Sequence, residues 1–592
     1  MKILVGFCMD DHPPKWEYYK KVFGTLGDEV RVFGNLGGDV VYQSGMTIQD
    51  ILKKLPDFYP DLVVLYDIEY WLLPQNLEQF NGITVALVGD WNLNSHGVLA
   101  SQTAIDYNFT DKAGVEFFKK WGIQAEYFPM FFHNPEIMRA NPSAAKDYDL
   151  VFAGNLSGEI QGERNRWLYR LARLSRKYKI GIFTSVFGEE YANILRRGKI
   201  VFNRSIRQEM NMRAFEAAAC GSLLFYDEEN LEVRDFFKDR VHCVLYNEKN
   251  LEELIEYYLT HEEEREKIAQ ASLQKVQEFE YSNRIKKLLK RFHELPKGIK
   301  YRKKIFKEPN LQIYLSQLYT PGSPFYLGEP PQNDCQINNQ YSLIVSVILQ
   351  KKEDLERLKQ IGESLKNLAY KNPNNLILHF NAGWCLMESN QQDEALAFFI
   401  KACSLAKSGS LPDENYIPIL PRWSYFFVHW HQTFWKGPDK VLEKQRNLLY
   451  QQLCLFIGTI FEWKNELNKA EAFYRDGLSL NPENHLLLKS FGELLETKGD
   501  LRESSKFLIK AHELNPHDFS TTLKIIRVLG KFDREKAEEF LDENLELFSA
   551  FPQSEPLKEK LKKTYVNLIF KQEEPNKQRA AAQRRKMADG SN

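Results

Sequence analysis

NMRAFEAAACGSLLFYD, residues 211–227, decides the fold of this chain. An Ala-rich helix carrying Arg213 and Glu216 stops at Gly221 and turns straight into an apolar strand, residues 223–226. A short helix feeding a buried strand is the repeating unit of a doubly wound α/β sheet, and such sheets hold nucleotides in the crevice at their strand ends. Outward from this stretch the pattern recurs. DLVFAGNL (149–156), KIGIFT, KIVFN and VHCVLY supply further strands with helices between them, the first helix over 164–177. Upstream, KILVGFC (2–8), EVRVFG, DLVVLY (61–66) and ITVALV (83–88) do the same. Continuous apolar strands separated by helices predict parallel sheets covered on both faces. Between the two sets, Pro129 and Pro135 interrupt EYFPMFFHNPEI and mark the boundary between two Rossmann-like units.

NMRAFEAAACGSLL resembles the signature of glycosyltransferases with the two-Rossmann GT-B fold, in particular the spore-maturation (CgeB-like) group related to the glycogen-synthase-like clan. The resemblance covers about residues 1–295 and is tighter in the second unit than in the first. It implies an acceptor-side domain over 1–130 and a nucleotide-sugar domain over 131–295. It also implies that Glu216 takes the ribose hydroxyls of the donor, a task that suits a carboxylate with two acceptor oxygens. The clan's second glutamate, eight residues earlier, is Gln208 here, with Glu209 one step along.

Bulk composition narrows the alternatives. Of 592 residues, 79 are Lys or Arg and 80 are Asp or Glu, a formal net charge of -1 that lacks the basic excess of a nucleic-acid ligand. Seven cysteines without a CxxC pair fit a reducing compartment better than a disulfide framework or a structural zinc site. No apolar run approaches the ~18 residues of a membrane span. MKILVGFCMDD reads as a first strand rather than a signal peptide, so a cytoplasmic location is expected.

The final third carries a repeat. Gly458, Ala470, Tyr474 and Pro482 recur 34 residues later as Gly492, Ser504, Leu508 and Pro516, with Ala511 in the same copy. An earlier copy holds Gly383, Ala395, Phe399 and Ala402. The pattern resembles tetratricopeptide repeats, which implies an α-solenoid, here over 341–570, that binds peptides or proteins. An aromatic insertion, PRWSYFFVHWHQTFWKGP (421–438), reads as packing onto the solenoid, because His429 and His431 have no third metal ligand nearby. Residues 296–340 form a linker whose basic run, 284–307, reads as solvated, with a weak anionic-membrane contact as the sharper alternative. Residues 571–592 read as a disordered tail.

Glycosyl transfer requires a held nucleotide, a neutralised diphosphate and a deprotonated acceptor. The resemblance implies that basic side chains and helix N-termini, with no metal, neutralise the diphosphate. The loop AGNLSGEIQGERNR offers Gly154, Asn155 and Gly158 ahead of a helix bearing Arg164, which matches the family's basic residue. Asn211, Met212 and Arg213 open the signature helix, while Asn203 and Arg204 end a strand at the ligand-binding edge and Tyr246 ends another. Glu209 completes the expected donor set. For proton transfer, Asp90 and His96 follow the strand 83–88, and Asp10, Asp11 and His12 follow the first strand. Loop hydrogen bonding is the competing role for each of them.

The expected activity is a metal-independent, retaining transfer from a UDP- or GDP-sugar to a protein acceptor docked on the repeats. Two alternatives remain: assembly of a surface polysaccharide, lipid-linked or spore-coat glycan, and a non-enzymatic repeat adaptor.

Overall fold

A computed structural model describes residues 1–7, 20–306 except 36, 44, 71, 72 and 131, residues 333–551 except 352–354 and 517, and residues 559, 562 and 563. Asp10, Asp11 and His12, most of the linker and the tail expected over 571–592 lie outside the described residues.

Two parallel sheets follow one another. The first uses β1 (Lys2–Phe7), β2 (Glu29–Gly34), β3 (Val40–Val41), β4 (Leu62–Tyr66), β5 (Ile83–Leu87), β6 (Tyr107–Thr110) and β7 (Ala125–Tyr127) in the order 3-2-1-4-5-6-7. The second uses β8 (Tyr148–Ala153), β9 (Ile180–Phe183), β10 (Gly198–Asn203), β11 (Leu223–Asp227) and β12 (Val244–Tyr246) in the order 12-11-10-8-9. All the pairings are parallel, as continuous apolar strands require when helices cover both faces. The expected α/β class is therefore seen in both units. The short β3 and β7 have no apolar run long enough to announce them.

The helix Tyr281–His293, expected to close the second unit, crosses back to the first sheet. Its Ile285, Leu288, Leu289 and Phe292 pack with Ile3, Val5, Val64 and Phe109. Arg284 donates to the Pro129 carbonyl at 2.6 Å, and Arg291 clasps Glu126 at 2.7 Å. The basic linker that follows is tied down as well. Lys300 donates to the Gly82 carbonyl, Arg302 to Glu78 and Asp106, and Lys303 to Trp121. These cations satisfy carbonyls and a buried carboxylate of the first unit, which replaces the solvated course expected for them.

The solenoid consists of helix pairs, among them Leu376–Glu388 with Gln392–Lys407, Val441–Trp463 with Leu467–Leu480, and His485–Lys498 with Leu501–Leu514. Its glycines explain the repeat. A Cβ on Gly383 would stand 2.5 Å from Phe399, on Gly458 2.3 Å from Tyr474, and on Gly492 2.8 Å from Leu508. Each small residue on a first helix thus seats a large one from the second, and the period of 34 is the period of that contact.

The array holds both α/β units. Trp430 and Phe434 of the insertion join the core that contains Trp91, Leu99 and Phe117 of the first unit. Leu541, Leu547 and Phe551 join that of the second, and the Ala550 carbonyl accepts the N–H of Ile182 on edge strand β9 at 2.7 Å.

Candidate functional site

The strand order of the second sheet reverses between β8 and β10, the place where open α/β sheets bind ligands. Gly154 and Asn155 follow β8 there, and Asn203 and Arg204 lie at the end of β10. Arg213 reaches back from the first turn of the helix Met212–Ala219. Its Nε donates to the Ala153 carbonyl at 2.7 Å, its Nη1 to Asn203 Oδ1 at 3.0 Å, and its guanidinium lies 4.4 Å from the centre of the Phe152 ring. Gly154 is the residue this approach demands, since a Cβ would stand 2.2 Å from Arg213 Nη2. Arg164, from the helix Gly158–Ala172, lies 5.2 Å from the same ring and donates to the Asn155 carbonyl.

The electrostatics of this pair are those of an anion receptor. Among the described residues neither guanidinium hydrogen-bonds a carboxylate, and Arg164 Nε is buried without a partner. Burial, and then the charge of Arg213, push the Arg164 pKa down to about 9. An incoming anion relieves both penalties. Neither helix is capped by its N-cap side chain. Ser157 makes no such bond, and Asn211 instead exchanges amide hydrogen bonds of 2.8 and 3.0 Å with Asn203. The first-turn N–H groups of both helices are therefore left without a side-chain cap.

The other expected donor residues are placed differently from one another. Arg204 pairs with Asp227 at 2.7 Å and lies over Trp167, beside a cavity of about 370 Å³ lined by Glu163, Ser205, Arg207 and Gln208. Arg213, Arg164 and Glu216 are not in its walls. Tyr246 is buried and donates to the Asn203 carbonyl at 2.9 Å, so it holds the end of β10 instead of lining the crevice. Met212 is exposed at the helix start. Glu216 is buried and accepts from Tyr191 Oη at 2.7 Å, with burial raising its pKa. Glu209 turns its carboxylate onto the N–H groups of Ile206 and Arg207, at 3.4 and 2.8 Å, and braces its own loop. The neighbouring Gln208 sits at φ +66°, a left-handed conformation held by the Leu231 N–H on its carbonyl at 2.9 Å. Gly158 faces the repeats and not a phosphate, because its Cβ would stand 2.2 Å from Asn515 Oδ1.

In the first unit, Asp90 and His96 part company. Asp90 is half-buried just past the end of β5, where Tyr70 Oη donates to it and Glu69 accepts its N–H at 2.6 Å. Glu69 is buried. Burial, with the charges of Asp67 and Asp90, holds its pKa well above the usual carboxylate range. His96 is buried between Phe306 and Phe434. Its N–H donates to His431 Nδ1 at 3.3 Å, and its own Nδ1 accepts from Trp430 at 3.3 Å. Burial pushes its pKa down to about 3. This geometry gives His96 a packing place under the insertion, in contrast to the proton-transfer role expected from its type.

That burial carries a pH consequence. On unfolding, the imidazole returns to a pKa near 6.5, so the unfolded chain binds a proton that the folded one refuses. The contribution of His96 is complete above pH ~6.5 and is lost as pH falls toward 3, reaching about 2 kcal/mol of destabilisation at pH 5. Urea midpoints measured between pH 7.5 and 5 should fall more steeply for the parent than for His96→Leu. Equal slopes would remove His96 from the account.

Arg207 was not singled out by the sequence, yet it joins the units. From the loop after β10 it donates to Asn92 Oδ1 at 2.8 Å, to the Gly89 carbonyl and to Asp111 Oδ2 at 2.6 Å. It also lies 3.7 Å from both Asp90 and Glu209. Burial opposes its charge, but Glu209, Asp111 and Asp90 together raise its pKa. Its partners in the first unit lie about a hundred residues away, so no local motif could have found it.

Comparison with known proteins agrees with the second unit's signature. Residues 137–290 match a family model described as glycosyl transferase-like, and residues 377–408 match a model of the tetratricopeptide repeat. A search of curated proteins finds no match. Among solved structures, a sucrose-phosphate synthase from Thermosynechococcus elongatus is similar at 14% identity and TM-score 0.36, over 50% of this chain and 98% of that one. The Anabaena protein HepE, in complex with UDP-glucose, is similar at 11% identity and TM-score 0.37, over 50% of this chain and 100% of that one. YrrB, a tetratricopeptide-repeat protein with an unusual peptide-binding site, is similar at 19% identity and TM-score 0.19, over 34% of this chain and 99% of that one. At these scores the fold rests on the chain's own strand orders and helix pairs. Among the described residues no helix is long and apolar enough to cross a membrane.

Proposed function

We propose that the chain is a nucleotide-sugar-dependent glycosyltransferase that moves a hexosyl or hexosaminyl group to a protein acceptor, without a metal and with retention. The observation that carries the donor half is the Arg164–Arg213 pair on Phe152 at the β8/β10 switch point. Bond cleavage at the anomeric carbon leaves charge on the departing diphosphate, and two preorganised guanidiniums stabilise that charge most where it develops. The match of residues 137–290 to a glycosyl transferase-like model supports the same reading. Glu216, beside Tyr191, would take the ribose hydroxyls of a UDP- or GDP-sugar. Asp90, half-buried beside the Arg207 clasp, would bind the acceptor hydroxyl. Retention is proposed from the resemblance to the glycogen-synthase-like clan, and the protein acceptor from the repeats.

Calorimetric titration of the full chain with UDP-, GDP- and dTDP-glucose, with and without EDTA, tests the donor site. One nucleotide sugar should bind equally in both buffers. Arg213→Gln and Arg164→Gln should each weaken it roughly ten- to hundredfold, from the ~1.5–3 kcal/mol of a hydrogen bond to a charged group. A folded chain that binds no nucleotide would return the assignment to a repeat adaptor.

A further inference from the structure

Two helices at the start of the array, Asp334–Lys351 and Leu376–Glu388, carry a row of buried amides and hydroxyls with no place in the proposed donor site. Asn338, Asn339, Ser342 and Ser346 lie on the helix Asp334–Lys351, and Asn381 lies on Leu376–Glu388; all five are buried. What they hold is the chain's own backbone over residues 415–420, NYIPIL. Asn339 donates to the Asn415 carbonyl at 2.8 Å and accepts the Ile417 N–H at 2.8 Å. Asn381 donates to the Ile417 carbonyl at 3.0 Å and accepts the Ile419 N–H at 2.8 Å. Asn338 adds a second donor to the Ile417 carbonyl at 3.1 Å, and Ser346 Oγ accepts the Leu420 N–H at 2.8 Å.

From Ile417 to Leu420 this is the bonding of a bound peptide; just before it the chain turns, with the Tyr416 N–H on the Asp413 carbonyl at 3.1 Å. Each of two asparagines grips a carbonyl and the N–H two residues on, using both the donor and the acceptor of its side-chain amide. Each of these hydrogen bonds is to backbone, so they read the course of the polypeptide, and its side chains are selected by the apolar packing around them. Pro418, which has no N–H to satisfy, falls between the two gripped N–H groups. Ile417, Ile419 and Leu420 fill apolar space beneath. The strap has a turn at each end, Gly409 at φ +90° and Trp423 at φ +64°. Downstream it runs directly into the helix Tyr425–Gln432, whose Trp430 and His431 close on His96. Val428, Gln432 and Trp435 also share a small cavity with Asn92 and Leu93 of the first unit and with Ile160 and Ile206 of the second.

We propose that residues 415–420 are a built-in ligand occupying a backbone-reading peptide groove, and that an extended, apolar, proline-containing polypeptide segment exchanges with them. Because the strap leads into the helix that lines this cavity, the exchange reports to the junction of the two α/β units. The proposal stands whether or not the chain transfers sugars.

Hydrogen exchange on the full chain is the first test. The amides of Ile417, Ile419 and Leu420 should open together, at least tenfold faster than those of the helices Leu376–Glu388 and Val441–Trp463. Exchange of all three only with global unfolding would make the strap a permanent part of the core and overturn the proposal. The second test uses a peptide of residues 412–423. A tethered strap acts at an effective concentration of order millimolar, so the peptide is titrated against Ile419→Asp, which loosens the strap but leaves the amides in place. Binding should be saturable in that variant, at least tenfold weaker in the parent, and abolished by adding Asn381→Leu. Failure of the peptide to bind an Ile419→Asp chain that keeps its circular dichroism spectrum, or binding indifferent to Asn381→Leu, would each overturn it.

Discussion

Residues 1–306, expressed without the repeat array, should fail to fold as a cooperative unit. The array covers Trp91, His96, Leu99, Phe117 and Trp121 of the first unit with Trp430, Phe434 and Trp435, and Trp121 Nε1 donates to the Phe434 carbonyl at 3.1 Å. Burying a large apolar side chain is worth about 1.5–3 kcal/mol, so four or five of them returned to water remove roughly 6–15 kcal/mol. That is the whole stability of an ordinary domain. The second unit loses Leu541, Leu547 and Phe551 at the same time, along with the backbone bond that covers the edge of β9. Size-exclusion chromatography, dye binding and urea unfolding of residues 1–306 beside the full chain measure the effect. A monomer with the parent's midpoint would show that the interface contributes nothing to folding. The same result constrains experiments on the acceptor. A repeat array that merely tethered an acceptor could be cut away without harm to the rest, whereas loss of this one should unfold it, so the proposed acceptor docking has to be read from substitutions in the full chain.

How much of this was legible in the sequence follows from how far each contact reaches along the chain. The strands Ile200 to Asn203 and Leu223 to Asp227 and the helix between them are written in consecutive residues, and they appear where the apolar runs put them. The repeat was legible because Gly458 and Tyr474 meet within one helix pair and recur with it. Arg213 and Gly154 were picked out by residue type, and the structure brings them together over Phe152. Burial was not legible. His96 has the chemistry of a proton carrier, but its surroundings come from Phe306, Trp430, His431 and Phe434, none of which a local reading places near it. Tyr246 and Glu209 likewise turn inward to hold backbone. The basic linker looked solvated because its partners are carbonyls, which composition does not show.

Arg207→Ala should be the most damaging single substitution in the α/β region. The guanidinium is buried between the two units, and its removal leaves Asp111, also buried, and Glu209 as carboxylates without their cation. Breaking a buried pair from one side costs about 3–5 kcal/mol, mostly the desolvation of the charge left behind. Glu209 is the more exposed to this effect, because burial already raises its pKa against the pull of Arg207. The loop that carries it also fixes Gln208 in a left-handed conformation and leads into Asn211 and Arg213, so the proposed donor site should loosen along with the clasp. Urea unfolding should show the loss, and Arg207→Met with Asp111→Asn should recover part of it, since that pair abandons one fewer buried charge. Arg207→Lys should not recover it. A single ammonium cannot reach Asn92, the Gly89 carbonyl and Asp111 at once in the fork geometry that the guanidinium uses. A parent-like midpoint for Arg207→Ala, within ~0.5 kcal/mol, would mean that the units are held by the repeat array alone.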